Sequence, residues 1–175
     1  AGYLLAALLA IPVGIVVGRS NEIATAVEPI LNAVYAIPPV AFVPFFVIWF
    51  GLYVEARVAL VFAMCFFEIL INVLQGVRNI DRGLFDAARA LATTGFTLYR
   101  KVVIPAAAPF IFTGLRVGIG RAVNAMITAE LFFSAVNLGQ MLKTSSNAFD
   151  TASAFAIILA ISLFGLACQE GMRLA

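Results

Sequence analysis

Residues 58–77 read VALVFAMCFFEILINVLQGV, and this stretch decides the fold class. Its twenty residues contain one acidic or basic side chain, that of Glu68. A helix that crosses a bilayer needs about 20 mostly apolar residues, because the hydrocarbon core is about 30 Å thick. The stretch is apolar on all of its helical faces, which favours lipid or protein neighbours over water. It therefore predicts a membrane-spanning helix.

The rest of the chain repeats this pattern. Runs at 1–18, 29–54 and 151–169 contain no Asp, Glu, Lys or Arg, and a further run at 102–129 contains two arginines. The chain is 63% hydrophobic and 11% charged, with a mean hydropathy of +1.07, whereas soluble domains carry about 25% charged residues. We expect an all-α, polytopic membrane helical bundle of about five spans, or six if a partial segment at 126–142 is counted.

One transmembrane domain is expected over residues 1–175, because no linker, internal repeat or low-complexity tract interrupts the chain. The first run has no charged segment before it and does not predict a signal peptide; we expect that an N-terminal helix is missing. Histidine is absent, and Cys65 and Cys168 lie in separate apolar runs. Neither a transition-metal site nor a Ser-His-Asp catalytic set is expected, and we predict no cofactor.

Basic residues are concentrated in the segment 76–104, which holds five basic and two acidic residues and so carries a net charge of +3. The rest of the chain holds six basic and seven acidic residues. Short loops rich in Lys and Arg stay on the cytoplasmic side of a membrane. We predict that 76–104, 19–28 and the C-terminal end at Arg173 are cytoplasmic, whereas Glu55 and the turn at 143–150 face outward.

The apolar run at 29–54 does not predict a straight helix. Pro38 and Pro39 follow one another within it. Because proline lacks a backbone donor and clashes with the preceding turn, we expect a break near Ile37 and a span from about Pro39 to Leu52. Broken helices at membrane depth occur only against protein or a water-lined cavity. This one is either a packing kink or a helix that borders a conduit.

Two small-xxx-small pairs lie in separate apolar runs. They are Gly14 with Gly18 and Gly114 with Gly118. Such pairs let helix backbones approach closely in lipid, where no hydrophobic effect drives helices together. They predict a bundle of several packed helices.

The polar segment that begins at Asp81 predicts an amphipathic helix of about three turns. Leu84, Ala88 and Leu91 recur at i, i+4 and i+7, and charged side chains occupy the other face. Asp81 can cap the start, and Gly95 is the expected stop. A helix this short is marginal alone in water. Its apolar face is therefore expected to rest on a partner protein or, alternatively, on the membrane surface or the rest of this chain.

A second short helix is predicted at 96–104, and Pro105 begins the next apolar run. In the first helix, Asp86 is spaced to pair with Arg82 and Arg89. An exposed helix that is joined rigidly to a span is suited to transmitting force. The chain lacks the G-x-x-x-x-G-K-[ST] phosphate loop, so the force is expected to come from another polypeptide.

Four ionisable side chains fall inside the predicted spans, where each costs about 2.5–3.5 kcal/mol on insertion scales. They are Glu68, Arg116, Arg121 and Glu130. Asn72 follows Glu68 by four residues, and Asn124 lies on the same helix face as Arg116 and Gly120.

Two interpretations of these charges remain open. They line a path that attracts an anionic solute, or they pair internally, for example Glu68 with Arg116 or Arg121. Glu130 is expected near the outer surface, where a carboxylate needs no special explanation.

Asp86-Ala87-Ala88 opens a spaced pattern in the cytoplasmic segment. Ala92 follows after three residues, and Val102-Val103-Ile104-Pro105 follows after nine more. The pattern resembles the signature loop of bacterial ABC importer permeases, E-A-A-x3-G-x9-I-x-L-P, with its spacing kept. Asp replaces Glu, Ala92 replaces Gly, and Val and Ile replace Ile and Leu. Because Ala92 removes the glycine of the bend, Gly95 is expected to take over that role.

Three more segments resemble the branch of these permeases that serves nitrate, sulfonates, taurine and related small solutes. They read AIPPVAFVPFFVIWFG at 36–51, GLRVGIGRA at 114–122 and AEL at 129–131. That branch usually has a proline after the Phe pair, where this chain has Glu68. The resemblance covers nearly the whole chain.

The resemblance implies a type I importer in the plasma (inner) membrane of a bacterium. The permease is expected to pair with a second copy of itself, to bind a cytoplasmic ABC ATPase subunit, and to receive a small solute from an extracytoplasmic substrate-binding protein. It would not be an enzyme and would bind no nucleic acid. In the resemblance, the ATPase-coupling residues would be Asp86, Ala87, Ala88, Leu91, Ala92, Gly95, Ile104 and Pro105.

Two other classes of function stay open on the residues alone. An ion-coupled secondary transporter would act without an ATPase and would use the intramembrane acids as coupling sites. A membrane-embedded enzyme or scaffold would need Glu68 and Glu130 to be close enough to act as paired carboxylates.

Overall fold

The computed structural model describes residues 1–93, 95–132 and 138–174, with the side chains of 39 and 172–174 outside the description. Within these ranges the chain forms helices and no strands. The helices are α1 (Gly2–Arg19), α2 (Asn21–Tyr35), α3 (Val43–Phe50), α4 (Val54–Arg78), α5 (Arg82–Ala90), α6 (Gly95–Leu98), α7 (Ile104–Phe132), α8 (Leu138–Asn147) and α9 (Thr151–Leu174).

Helix α4, which contains the stretch 58–77, lies at the centre of the bundle. The largest fully buried side chains come almost entirely from it: Leu60, Cys65, Ile69, Val73 and Leu74, together with Val103. A helix that is apolar on all of its faces is expected to be buried by its neighbours. The covering helices are α1 and α7, which pack along its length.

Helix α1 runs parallel to α4, and its glycines set their separation. Gly2 lies against Val58, and Gly18 lies against Val77. A β-carbon at Gly14 would come within 2.9 Å of the Val73 β-carbon, which is closer than real β-carbons approach. The predicted role of this small-xxx-small pair in close helix packing is confirmed.

Helix α7 runs antiparallel to α4 and uses the second glycine pair in the same way. Gly114 lies against Asn72, and Gly118 lies against Ile69. A β-carbon at Gly118 would come within 2.9 Å of Ile69 Cγ1. Both small-xxx-small pairs therefore pack on one helix, and α4 is held between α1 and α7.

The run at 29–54 breaks where its prolines predict. Helix α2 ends at Tyr35, a 3-10 turn follows at Pro39–Phe42, and the helical parts on the two sides of the break are bent by 84°. The predicted break near Ile37 is confirmed. The helix after the break is shorter than the predicted span at 39–52, because α3 has eight residues and rises only about 12 Å.

Helices α6 and α7 form one continuous segment of 38 residues, Gly95–Phe132. A π-turn at Tyr99–Val103 joins them. The short helix predicted at 96–104 is therefore not separate from the next apolar run, because the helix continues through Pro105. A π-turn is wider than an α-helical turn, and it lies where the proline ring and its missing N–H would disturb a regular helix. The exposed start of this segment is thus joined to its membrane part by continuous helix.

The partial segment predicted at 126–142 falls in part on 133–137, which lie outside the described residues. Its described parts are the end of α7 and the start of α8. Helix α8 has ten residues, too few to cross a hydrocarbon core of about 30 Å.

A strained turn and a capped helix start follow α8. Phe149 has a φ of 56°, a left-handed conformation that is rare for a bulky residue. The Ser153 backbone N–H donates to Asp150 Oδ1 at 3.1 Å, so Asp150 caps α9. Hydrogen bonds from the Ser153 side chain and backbone hold the pKa of the Asp150 carboxyl below its usual value.

Four segments are long and apolar enough to cross a membrane, namely α1, α4, Gly95–Phe132 and α9, and the bent pair of α2 and α3 is a fifth candidate. The predicted all-α polytopic bundle is confirmed. Arg19 at the end of α1 lies over the Phe85 ring of α5, with 4.8 Å between its guanidinium carbon and the ring centroid. The ends of α1 and α4 and the helix α5 therefore share one side of the bundle, the predicted cytoplasmic side.

Candidate functional site

Helix α5 begins with the cap that its sequence predicts. Asp81 accepts a hydrogen bond from the Gly83 backbone N–H at 2.8 Å. Asp86 pairs with Arg89 at 3.5 Å, and their side chains are 71% and 74% exposed. Exposed pairs of this kind contribute about 0.5 kcal/mol or less. The contacts of Asp86 within the described residues do not include Arg82, the other predicted partner.

A left-handed residue ends α5 at the position where the signature loop has glycine. Ala92 has a φ of 51°. Its N–H donates to the Arg89 carbonyl oxygen at 2.9 Å, and the Thr93 N–H donates to the Ala88 carbonyl oxygen at 2.9 Å. These two bonds form a Schellman cap. The left-handed conformation costs a residue with a β-carbon about 1–2 kcal/mol.

The bend therefore stays at Ala92, and the prediction that Gly95 takes over its role is wrong. Helix α5 ends at Ala90, earlier than the predicted stop. Gly95 also has a positive φ, of 60°, but it begins α6. The cap hydrogen bonds hold Ala92 in a strained conformation that a glycine would adopt freely.

Most of the predicted coupling residues are exposed. The exposed ones are Asp86, Ala87, Leu91, Ala92, Gly95, Ile104 and Pro105, whereas Ala88 is buried. Three large apolar side chains of this region, Leu84, Leu91 and Phe96, are 47%, 79% and 78% exposed. An open cavity of about 430 Å³ lies between α5 and the start of α7. It is lined by Leu84, Ala87, Ala88, Leu91, Thr93, Lys101, Val102, Pro105 and Ala106.

Helix α5 contacts the end of α1, and the end of α4 contacts α2. Arg19 stacks on Phe85, and Arg78 forms an ion pair with Glu28 of α2. A cation over an aromatic face contributes about 0.5–1 kcal/mol at exposed sites. Sequence reasoning missed Arg19 and Phe85 as partners. The available signal was an arginine at the cytoplasmic end of one span and an aromatic residue within the polar segment.

A triad of polar side chains joins three helices inside the membrane. Arg121 Nε of α7 donates to Glu68 Oε2 of α4 at 2.7 Å, and Arg121 Nη2 donates to the Tyr35 hydroxyl of α2 at 2.6 Å. The Tyr35 hydroxyl donates to Glu68 Oε2 at 3.2 Å. Glu68 is 8% exposed and lies ten residues before Arg78, about 15 Å from the end of α4. The triad therefore lies near mid-membrane.

Of the predicted intramembrane group, the structure brings together Glu68 and Arg121. The Asn72 side chain donates to the Glu68 backbone carbonyl oxygen at 2.8 Å. Arg116 Nη2 lies 3.0 Å from Glu170 Oε1 of α9. The Asn124 side chain is exposed. Arg116 is thus separated from the triad and belongs to the contact of α7 with α9.

The face of α7 that carries Arg116 and Gly120 meets α9. Besides the ion pair of Arg116 with Glu170, Gly120 lies directly against the Gln169 side chain. At these two positions the face is a contact between helices, which favours the pairing interpretation for Arg116.

Glu130 lies near the end of α7, as expected, but it is not an unremarkable surface group. It is 7% exposed, and its Oε2 accepts a hydrogen bond at 2.9 Å from the backbone N–H of Gly139 in α8. It lies nine residues after Arg121, about 13 Å further along α7, so Glu68 and Glu130 are not paired carboxylates. The expectation of an unremarkable surface acid is wrong, because the carboxylate is needed to satisfy the start of α8.

A cavity of about 210 Å³ adjoins the triad at the broken span. It is lined by Val34, Tyr35, Ile37, Phe42, Phe46, Ala63, Met64, Phe67 and Arg121. Sequence reasoning missed Tyr35. Its signal was a hydroxyl-bearing ring in an apolar run, directly before a proline break.

Comparison with known proteins gives the chain its family. Residues 10–169 match the family described as binding-protein-dependent transport system inner membrane component. A putative ABC transporter permease protein of Methanocaldococcus jannaschii is 36% identical over 173 residues, which are 98% of this chain and 65% of that protein. The chain thus spans about two thirds of the length of that relative.

Two further relatives carry names that include a solute. The putative aliphatic sulfonates transport permease protein of Bacillus subtilis is 32% identical over 99% of this chain and 63% of its own length. The taurine transport system permease protein of Escherichia coli is 30% identical over 96% of this chain and 61% of its own length. The predicted resemblance to the nitrate, sulfonate and taurine branch is confirmed.

The fold also occurs in a solved structure. A chain of the MetNI methionine ABC transporter, in an inward-facing conformation, matches with a TM-score of 0.73 at 18% identity, over 98% of this chain and 90% of that one. The ion-coupled alternative is not favoured by these similarities. The chain belongs to the family of inner membrane components of binding-protein-dependent transport systems.

Proposed function

We propose that this chain is the non-catalytic permease subunit of an ATP-driven ABC importer. The observation that carries the proposal is the exposed amphipathic helix α5, which lies beside the start of the continuous segment Gly95–Phe132 and shares a cavity with it. A displacement of α5 would be passed to the adjoining α6–α7 helix and so into the bundle. Rigid elements of this kind can switch a packed bundle between two arrangements.

A cytoplasmic ATPase is the partner that α5 fits. The region presents the apolar side chains of Leu84, Leu91 and Phe96, which are poorly covered by the described residues. Ala87 is small enough to let another backbone approach closely. Asp86 lies at the middle of α5, and its 71% exposure leaves it accessible to a basic group of the partner.

The rest of the assembly follows from the same proposal. A second copy of the permease would complete the path for the solute, and an extracytoplasmic binding protein would deliver it. The cargo would be a small solute. The relatives named for sulfonates, taurine and nitrate support that size class.

The test is co-purification of the full-length permease with the cytoplasmic ABC ATPase expressed beside it, together with solute uptake. Ala87→Arg adds a long charged side chain to the exposed face of α5 and should abolish both co-purification and uptake. Ala148→Arg is the matched control, because Ala148 is also exposed but lies in the turn between α8 and α9, which is predicted to face outward.

Two outcomes would overturn the proposal. One is an Ala87→Arg variant that retains the ATPase at the level of the Ala148→Arg control. The other is uptake that continues in cells from which the ATPases of this class have been deleted.

A further inference from the structure

The cavity beside the triad has the position and lining of a solute site. It lies at the break between α2 and α3, which are bent by 84°. Irregular backbone at membrane depth is tolerated where it is covered by protein or lines a cavity, and transporter sites lie at such interrupted helices near the midplane. Its volume of about 210 Å³ exceeds the roughly 150 Å³ of an engineered cavity that holds one benzene ring.

The walls of the cavity are apolar and rich in aromatic rings. Phe42, Phe46 and Phe67 line it, and Tyr35 adds a fourth ring. Aromatic walls favour flat ligands, because rings stack face to face with an offset or meet edge to face. Polar groups are confined to one place, where the Tyr35 hydroxyl and the Arg121 guanidinium meet.

The charge at that polar place is already compensated. Glu68 Oε2 lies 2.7 Å from Arg121 Nε, and Glu68 is 8% exposed. The two side chains therefore sum to zero charge near mid-membrane. A guanidinium carries five N–H donors, of which Nε–H and one on Nη2 are used within the described residues. Arg121 can therefore donate a hydrogen bond to a ligand that carries no negative charge, because Glu68 already balances the charge of the guanidinium.

We propose that this cavity binds the transported solute, and that the solute is an uncharged, flat ring compound with a hydrogen-bond acceptor. The ring lies between the phenylalanine side chains, and the acceptor receives a hydrogen bond from Arg121. This inference rests on the proposed importer function and names its class of cargo.

An anionic solute is disfavoured at the same place for an electrostatic reason. A carboxylate or sulfonate entering the cavity must lose its hydration shell, and burial of an uncompensated charge is expensive. It finds a cation whose charge Glu68 has already neutralised. It could accept a hydrogen bond from an N–H of Arg121 that the triad does not use, but two anions would then face one cation, and one buried negative charge would remain uncompensated. An uncharged ring meets none of these costs.

The test uses two probes of almost equal shape, nicotinamide and nicotinate, which differ by one charge. Their binding to the purified full-length permease in nanodiscs, without ATP, is measured by saturation-transfer NMR titration. We expect nicotinamide to bind at least about tenfold more tightly than nicotinate, since a tenfold ratio needs only about 1.4 kcal/mol.

Two variants separate the cavity from the charge. Ala63→Phe fills the cavity without changing a residue of the triad and should reduce nicotinamide binding at least about tenfold. Ala160→Phe is its matched control on an exposed position of α9 and should bind as the unaltered protein does. Glu68→Gln keeps the shape of the side chain and removes the compensating charge, so the preference should shift at least about tenfold toward nicotinate.

The inference is overturned if nicotinate binds as tightly as nicotinamide, if neither probe binds up to its solubility limit, or if Ala63→Phe binds as Ala160→Phe does. Should Glu68→Gln fail to fold, the probe pair and the Ala63→Phe variant still decide the question. All of these measurements omit the ATPase, so failure here leaves the coupling of α5 untouched. If the Ala87→Arg variant retains the ATPase, the importer function is rejected whatever these binding measurements show.

Discussion

Arg121 of α7 and Glu68 of α4 form an ion pair with 2.7 Å between Nε and Oε2. The resemblance implies a proline at the Glu68 position. A proline there would remove a backbone donor from the middle of the central helix. Glu68 instead leaves α4 regular and connects it to α7 and, through Tyr35, to α2.

Removing one partner of this pair should destabilise the bundle strongly. We expect Glu68→Ala to lower the free energy of unfolding by about 3–5 kcal/mol, because it leaves the Arg121 charge uncompensated. Thermal unfolding in nanodiscs measures the change. The double variant Glu68→Met with Arg121→Leu should recover most of the loss, since it removes both charges; a double variant no more stable than Glu68→Ala would contradict the pairing.

Replacing the strained Ala92 at the end of α5 by glycine should increase the local stability of this helix. Ala92→Gly removes the left-handed strain but adds freedom to the unfolded chain, so we expect a net gain of about 0.5–1 kcal/mol in the local stability of α5. Ala90→Gly, two residues earlier and still helical, should instead lose about 1 kcal/mol. Amide hydrogen exchange of α5 reports both. Faster exchange in Ala92→Gly would show that the turn does not strain Ala92.

Breaking the ion pair of Arg116 with Glu170 should lower the thermal stability of the protein only slightly. Their side chains are 40% and 52% exposed, and an exposed pair contributes about 1 kcal/mol or less. We expect Arg116→Ala and Glu170→Ala to lower thermal stability to a similar, small extent and to leave uptake largely intact. If Arg116→Ala abolishes uptake while assembly and thermal stability are unchanged, Arg116 lines the path instead.

Close packing of α1 on α4 predicts opposite signs for the same substitution at two glycines. Gly14→Ala would bring a β-carbon within 2.9 Å of Val73 and should cost about 1–3 kcal/mol. Gly171→Ala meets nothing within 4 Å and should be neutral or stabilising by up to about 1 kcal/mol. Thermal unfolding distinguishes them. Equal effects at the two positions would argue against the packing of α1 on α4.

The cap at Asp150 should make the start of α9 sensitive to acid. Because the folded-state pKa of Asp150 is lowered, its stabilising effect is fully present above its unfolded value of about 3.9. The effect is lost as the pH falls through the lower, folded-state pKa. Amides at the start of α9 should be better protected than in Asp150→Ala at neutral pH, and this difference should vanish in strong acid. A difference that persists there would assign the protection to another group.

The helices that follow from composition and proline positions were predictable. The apolar run around Glu68 predicts a span because its length matches the bilayer, and the break near Ile37 follows from the loss of a donor at each proline. Gly14 and Gly118 pointed to close packing, although not to a shared partner helix. These features depend on local chemistry, which a single sequence carries directly.

Contacts between distant segments were harder to predict. The sequence left Glu68 with either Arg116 or Arg121, because both lie on one helix and the choice depends on how α7 is rotated against α4. Tyr35 entered the triad only through the bend after α2. The continuity of the helix through Pro105 depended on a π-turn, a rare geometry with no simple sequence signal.

The unbroken helix from Gly95 to Phe132 has 38 residues and a contour of about 57 Å, nearly twice the thickness of the hydrocarbon core. Such a rod turns small rotations into large translations: a tilt of about 5° around its midpoint moves each tip by about 2.5 Å in opposite directions. Its inner tip adjoins α5, and its outer tip holds α8 through Glu130. A displacement of the helix end beside α5 would then be accompanied by a displacement of the end beside α8, without a chain of intermediate side-chain contacts between them.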